Sequence, residues 1–490
     1  MPYLTGTASV HRVLIIACLM LVMAGLSATA HAADDKNFLS SLKEEFNLSG
    51  YLKNETAFRY QEPRAFTKIR NIAYLRGRYV INNMAEISGS AWAYYDLAYD
   101  LFDYDTISAR AERDAIQPLN FIENLSSRKD SGVIDLRELY LDVFLDNVDL
   151  RIGQQFIIWG VMTGIRIVDE LNPMDFRELI LPDLLDYRVP LFSTRANVYV
   201  GNDEIQLVWI PDIQFHKPAP QGSEWELLQE VPGTVYRDSF TLKNSEYGIR
   251  WSGTRFDTEL SLSYFNTWDD FPVIFRKVPI EPVAVDGVVA EPEFYPRYTR
   301  IQMYGATLQR QIGGQILKGE FAFVKNKYFG LTTIDRDNDG FLDNMGELKR
   351  DHIRWGLGVD FNVWKTDISP GLTQWIILDY DPAIIQGEYD TAFNLFVRKE
   401  MPQYKATFQM LLLRMITMRE LYVKPKVTFN VTDLFSVAAG LDLFYGQSSQ
   451  VGVGAKDGKA VDILEIEQRF QFLGNFSNNK RLFLEFKYSF

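Results

Sequence analysis

Five residues of one loop have the types and spacing to hold a hard cation: Asp335, Asp337, Asp339, Gly340 and Asp343 form a D-x-D-x-D-G-x-x-D pattern. Alternate carboxylates around a glycine-enabled turn can surround one Ca²⁺, with the Phe341 carbonyl as a further ligand. The pattern departs from the EF-hand loop at its twelfth position, where Gly346 replaces glutamate and Glu347 follows one residue late. The expectation is a structural Ca²⁺ in an external loop, and the competing reading is an acidic, solvated turn.

A second charged group lies between residues 159 and 188, where Arg166, Asp169, Glu170, Asp175, Arg177, Glu178, Asp183, Asp186 and Arg188 alternate with Ile165, Ile167, Leu171, Leu179, Ile180 and Leu181. A solvated surface loop rarely carries so many aliphatics. Folded into a barrel, the aliphatics would pack on the wall and the charges would pair or line a constriction. Asn172-Pro173 suits a turn or helix start within it. Charges that merely hold the loop in place are the competing reading.

Catalysis has little to work with. Cys18 is the only cysteine and precedes the expected mature chain, so disulfides, thiolate nucleophiles and cysteine-linked haem are outside that chain's chemistry. The only histidines beyond residue 32 are His216 and His352, neither beside a compelling nucleophile in sequence. An outer-membrane acyl hydrolase, needing a serine or threonine with a histidine base, is therefore disfavoured, and so is a sheath for electron-transfer cytochromes. The net charge of −13, with no basic stripe, argues against nucleic acid.

The elements that must position these groups are strands. Aromatics make up 14% and hydrophobics 47% of the chain, yet its mean hydropathy is negative, and no run beyond residue 32 is long and apolar enough to span a bilayer as a helix. Strands of about ten residues with alternate residues apolar reconcile these facts. In RFDTELSLSYF, Phe256, Leu260, Leu262 and Tyr264 share one face, and Asp257, Glu259, Ser261 and Ser263 the other. In DHIRWGLGVDF, Ile353, Trp355, Leu357, Val359 and Phe361 would meet lipid, leaving His352, Arg354, Gly356, Gly358 and Asp360 in the lumen. Such segments recur with tight turns on one side and long connections on the other. The expected fold is all-β, a transmembrane antiparallel barrel of 16 to 18 strands over residues 46–490. A strand at 461–473 makes the eighteenth, although the connection 447–460 before it is long where a short turn is due. TAFNLFVRKEM, from residue 391, is a further candidate.

The two ends point to the same place. His11 and Arg12 precede an apolar run from Val13 to about Leu26, and Ala30, His31 and Ala32 follow, which reads as a signal peptide cleaved after residue 32. Residues 33–45 would form a short periplasmic segment. In RLFLEFKYSF, Leu482, Leu484, Phe486, Tyr488 and Phe490 share one face. That strand resembles the signal read by barrel-assembly machinery, with Leu484, Phe486, Tyr488 and Phe490 as its recognition residues. The expected location is the Gram-negative outer membrane, surrounded by its lipids.

The run 132–190 also resembles a family, the proteobacterial outer-membrane proteins of domain-of-unknown-function family 1302. The resemblance rests on Leu136 to Asp142 (L-R-E-x-Y-L-D), on Arg151, Gly153, Gln155, Trp159 and Gly160, on Asp169, Asn172, Pro173 and Asp175, and on Pro182, Asp183, Arg188 and Pro190. It implies a barrel associated with an inner-membrane RND-type (MMPL-like) transporter and a second outer-membrane partner, for export or trafficking of hydrophobic molecules. Arg151, Trp159, Arg166, Asp169, Glu170, Asn172, Asp175, Arg177, Asp183 and Arg188 are the candidate lumen or constriction residues. The expected function is a channel or accessory for exporting hydrophobic or amphiphilic molecules, and the alternative is a passive diffusion porin. A continuous apolar track would favour the first, and an eyelet ringed by charges the second.

Overall fold

In a computed structural model, eighteen antiparallel strands close into one barrel. The structure describes residues 45–490 except 109–131, 183–185, 220–222, 226–232, 280–283, 286–287, 290–292, 333, 448–453, 457–458 and 462–471. The expected signal peptide and nearly all of the 33–45 segment lie outside the described residues. The strands are Ser49–Arg59 (β1), Ala65–Asn82 (β2), Ala85–Asp96 (β3), Gly132–Phe144 (β4), Val148–Gln155 (β5), Leu191–Val200 (β6), Asp203–Ile210 (β7), Glu246–Arg255 (β8) and Thr258–Trp268 (β9). They continue with Arg300–Ile312 (β10), Gln315–Gly330 (β11), Glu347–Val363 (β12), Thr366–Ile377 (β13), Tyr389–Met401 (β14), Ala406–Met415 (β15), Glu420–Asn430 (β16), Phe435–Tyr445 (β17) and Arg481–Ser489 (β18). Each pairs with its neighbours in sequence, and β18 returns to β1 from Arg59↔Arg481 to Tyr51↔Ser489. Closure satisfies the backbone groups that an open edge would leave unpaired in lipid.

The strand count agrees with the sequence, but one member differs. Tyr389–Met401, which contains TAFNLFVRKEM, is a barrel strand paired with β13 and β15. The expected strand at 461–473 is not in the ladder: 462–471 lie outside the described residues, and β17 pairs directly with β18. With β14 in place, the connection 446–480 falls on the long-loop side and the parity problem disappears.

Period-two alternation assigns the faces. Leu482, Leu484, Phe486 and Tyr488 are exposed on the outer surface, whereas Phe483 between them is buried in the lumen. On β12, Leu357 faces outward while His352 and Arg354 are buried inside. Phe256 is a departure: it belongs to the tight turn after β8 with φ 51°, not to the outward face of β9. Tyr95, Tyr247, Tyr389 and Tyr445 project outward near the long-loop end, and Tyr79, Phe429 and Tyr488 near the short-turn end, as the two aromatic girdles of a membrane barrel do. No helix among the described residues is long and apolar enough to cross a membrane; strands make the crossing.

Candidate functional site

The described residues of the 156–190 connection between β5 and β6 fold into the lumen. They touch β2, β7, β10, β11, β12, β14 and β16, strands spread around the whole ring, and a single segment can reach all of them only from inside. Trp159 Nε1 donates to Gln206 Oε1 of β7 at 2.6 Å. Asn394 Nδ2 of β14 donates to the Thr163 carbonyl at 2.7 Å. Lys424 of β16 donates to the Leu181 carbonyl.

The first arm, 157–171, is anchored by apolar packing. Ile157, Trp159, Ile167, Val168 and Leu171 form one buried cluster with Val208, Ile210, Phe265, Ile301, Met303 and Val324 from the walls of β7 to β11. Because the alternative for these side chains is lumen water, burial of the five contributes about 8–15 kcal/mol at roughly 1.5–3 kcal/mol each. Two wall glycines are sockets for this arm: a Cβ at Gly356 would come 2.3 Å from Ile167 Cδ1, and one at Gly248 would come 2.7 Å from Trp159 Cη2. The arm has little regular structure, so its backbone donors need acceptors. Glu320 of β11 supplies them, taking the amides of Val161, Met162 (2.6 Å) and Val168 (3.1 Å).

Most of the charges singled out in this arm brace it. Asp169 is buried, pairs with Arg188 and accepts weakly from the Trp159 amide at 3.4 Å. Arg166 donates to the carbonyls of Asp169 and Asn172. Fully buried Asn172 accepts from the Ile157 amide at 2.8 Å and donates to the Val189 carbonyl at 2.9 Å, tying the two feet of the loop together. Glu170 reaches the wall at Arg354, 2.9 Å away. Arg151 is a wall residue of β5, held by Asp142 at 2.6 Å over the Tyr140 ring.

The second arm, 175–187, is held by charge as well as packing. Asp175 caps the short 3₁₀ turn Phe176–Glu178 and pairs with Arg177. The two oxygens of the Glu178 carboxylate divide between two cations of β2: one meets Lys68 Nζ and the other an Arg70 guanidinium nitrogen. Lys68 also contacts Glu55 at 3.1 Å, and Arg70 contacts Asp96 at 3.3 Å. Next in the chain, Leu179 has φ 54° and ψ −124°, a backbone region that glycine prefers and that costs another residue about 1–3 kcal/mol. Its side chain is buried with Leu181, Trp225, Tyr422, Phe444 and Phe476, which holds it there. Asp183 lies outside the described residues.

Between this arm and the wall from β16 through β18 to β3 run two cavities. Lys68, Arg70, Trp92, Tyr94 and Glu178 line both, so they form one path. It extends from Tyr99 and Trp225 on the long-loop side to Tyr51, the third residue of β1 from the short-turn end. The walls are charged and aromatic along its length. Lys68, Arg70 and Glu178, shared by the two cavities, are absent from the constriction set drawn from sequence. Lys68 and Arg70 sit at alternate positions of a strand, the one signal that could have marked them.

Among the outer-loop acids, Asp335, Asp337 and Asp343 bring carboxylate oxygens within 4.8 Å of one another. Two of the expected carboxylates stand apart from that set: Asp339 accepts from the Phe341 amide, and Glu347 begins β12 with Arg276 3.5 Å away. The Asp337 carboxyl is raised: the Asp339 amide pulls it down, but desolvation and the Asp339, Asp335 and Asp343 carboxylates outweigh that. The histidines serve as acceptors, His216 Nδ1 from the Met174 amide and His352 Nε2 from Arg354, both at 2.9 Å.

The family model described as Protein of unknown function (DUF1302) matches residues 215–441; this is the family that the run 132–190 resembles, met over a different part of the chain. No curated protein matches. Solved structures that align with the chain include OccAB4 of Acinetobacter baumannii, at 9% identity over 90% of this chain and 97% of that one, with a TM-score of 0.46. OccK8 (OprE) of Pseudomonas aeruginosa aligns at 10% identity over 90% and 97%, TM-score 0.45. OmpT, an outer membrane protein of Vibrio cholerae, aligns at 11% over 90% and 98%, TM-score 0.38.

Proposed function

We propose that this barrel, which resembles the DUF1302 family, is an outer-membrane channel for polar and charged solutes, with the 156–190 loop as its constriction. The observation that carries this reading is the path beside the second arm, with Lys68, Arg70, Glu178 and Tyr94 lining both of its cavities. Charged side chains from Lys53 and Glu485 through Lys68 and Arg70 to Asp175 and Arg177 interrupt the apolar lining of Ile72, Leu181 and Phe483, which favours a solute channel over a conduit for hydrophobic molecules. The channel reaches the outer membrane through signal cleavage after residue 32, and the assembly machinery reads Leu484, Phe486, Tyr488 and Phe490.

The test is single-channel conductance of the refolded protein in planar bilayers, with and without residues 162–186. An open, charge-selective pore in the intact protein supports a diffusion channel. A barrel silent in chloride and acetate alike that opens only after the deletion favours the other reading, gated export of hydrophobic or amphiphilic molecules with an RND-type transporter and a second outer-membrane protein. The outer loop is proposed to bind Ca²⁺ through Asp335, Asp337 and Asp343. Saturable Tb³⁺ luminescence abolished by Asp337→Asn supports that site, and no saturable signal at millimolar metal leaves an acidic turn.

A further inference from the structure

Five cations on the strands bordering the cavity that reaches Tyr51, Lys53, Lys68, Arg70, Lys424 and Arg481, face three strand carboxylates, Glu55, Asp442 and Glu485. The remaining two carboxylates of the lining, Glu178 and Asp186, belong to the inserted loop. In a chain of net charge −13, this stretch of lumen wall is therefore basic by itself and reaches neutrality only with acids brought in by the second arm.

Glu178 meets that wall as a free carboxylate would. Its two oxygens divide between Lys68 and Arg70, which point into the lumen two residues apart on β2. Arginine beside lysine offers a planar fork and a point charge to one two-oxygen anion. The group in this position is carried on a short loop turn whose next residue, Leu179, is in a disfavoured backbone conformation, so the turn is held there by its contacts and not by local preference. Withdrawing Glu178 without replacement would strand buried charge and is strongly opposed. Exchanging it for another carboxylate is not, because each cation keeps a similar partner.

We infer that Lys68 and Arg70 form a carboxylate subsite of the conduit, and that Glu178 is its built-in occupant, displaced by a permeating organic carboxylate. This deepens the channel reading and rests on it: the solutes are carboxylic acids, and the arm yields when one arrives. Chloride, lacking the two-oxygen bite, exchanges poorly.

The experiment compares chloride, bromide and acetate as potassium salts on the refolded full-length protein in planar bilayers, with folding of each variant checked by heat-modifiable gel migration. In the wild type, acetate raises open probability above that in chloride and bromide does not. In Glu178→Gln the pore is open in chloride alone, and acetate now blocks that current, at a concentration at least tenfold below the one that opens the wild type. Lys68→Gln/Arg70→Gln loses the acetate effect, while Lys68→Arg retains it, which a merely structural role would not predict. Equal responses to acetate and bromide, or an acetate effect surviving in the double variant, overturn the subsite and leave the channel standing. Folded barrels that carry no current in any salt overturn the channel and the subsite together.

Discussion

The two arms of the inserted loop lie a few residues apart and are held by different physics. The 157–171 arm buries Trp159, Ile167, Val168 and Leu171 against β7 to β11 and hands three amides to Glu320. The 175–187 arm meets the opposite wall through Glu178, with Lys68 and Arg70 opposite it and a cavity on its flank. Apolar burial has no competitor in lumen water, whereas an ion pair can exchange one member for a dissolved ion of the same chemistry. One loop thus combines a fixed foot with an exchangeable contact, and the path follows the exchangeable side.

The comparison breaks most severely at Trp159. Trp159→Ala removes the largest anchor of the fixed arm, with an expected cost of about 3–5 kcal/mol; urea unfolding should show it, together with a noisy, enlarged conductance. If Trp159→Ala left both unchanged, the fixed arm would not be fixed. Glu320→Gln should have a smaller effect of the same kind, about 1–3 kcal/mol from weakened charge-assisted hydrogen bonds to the backbone, read as faster amide exchange at Val161, Met162 and Val168 with Glu178 contacts intact. Arg166 and Arg177 separate the two physics within a single charge type. Arg166→Ala should loosen the loop by about 1–2 kcal/mol without altering ion selectivity, because that guanidinium is occupied by loop carbonyls. Arg177→Ala should shift the reversal potential in a salt gradient, because Arg177 lines the path; equal shifts from both would erase the distinction.

The smallest effect lies outside the lumen. Arg336 holds Asp381 at 2.8 and 2.6 Å and lowers its carboxyl to about 2. A depressed carboxyl contributes stability that is present above its unfolded value near 3.8 and is lost as pH falls toward 2. Amide exchange in the 331–346 and 378–388 loops should therefore rise across that window, modestly because the pair is exposed to solvent.

Alternation made most of the barrel legible. The faces of β12 and β18 were readable because side chains two apart share a side whatever the partner strand is. Strand membership was harder: Tyr389–Met401 has weak alternation, with Arg398, Lys399 and Glu400 consecutive at its short-turn end, and only its ladders to β13 and β15 make it a strand. The mixture of aliphatics and charges in 159–188 marked a loop that does not belong in solvent. It could not say which charges brace the loop and which line the path. Arg166, Asp169, Asn172 and Arg188 are brace residues because their partners lie within the loop itself. Glu178 differs from Glu170 only in what the far wall presents to it.

Local periodicity by itself thus determined a closed, strand-built membrane protein with one anomalous loop, since hydrophobic alternation and turn length act over a few residues. The site was decided by tertiary structure. Lys68 and Glu178 are separated by 110 residues, and only the closure of β18 on β1 brings the basic wall of β16, β18, β1 and β2 around the tip of the loop. Charge partners across a lumen are set by the register of the whole ring, and no short stretch of sequence carries that information.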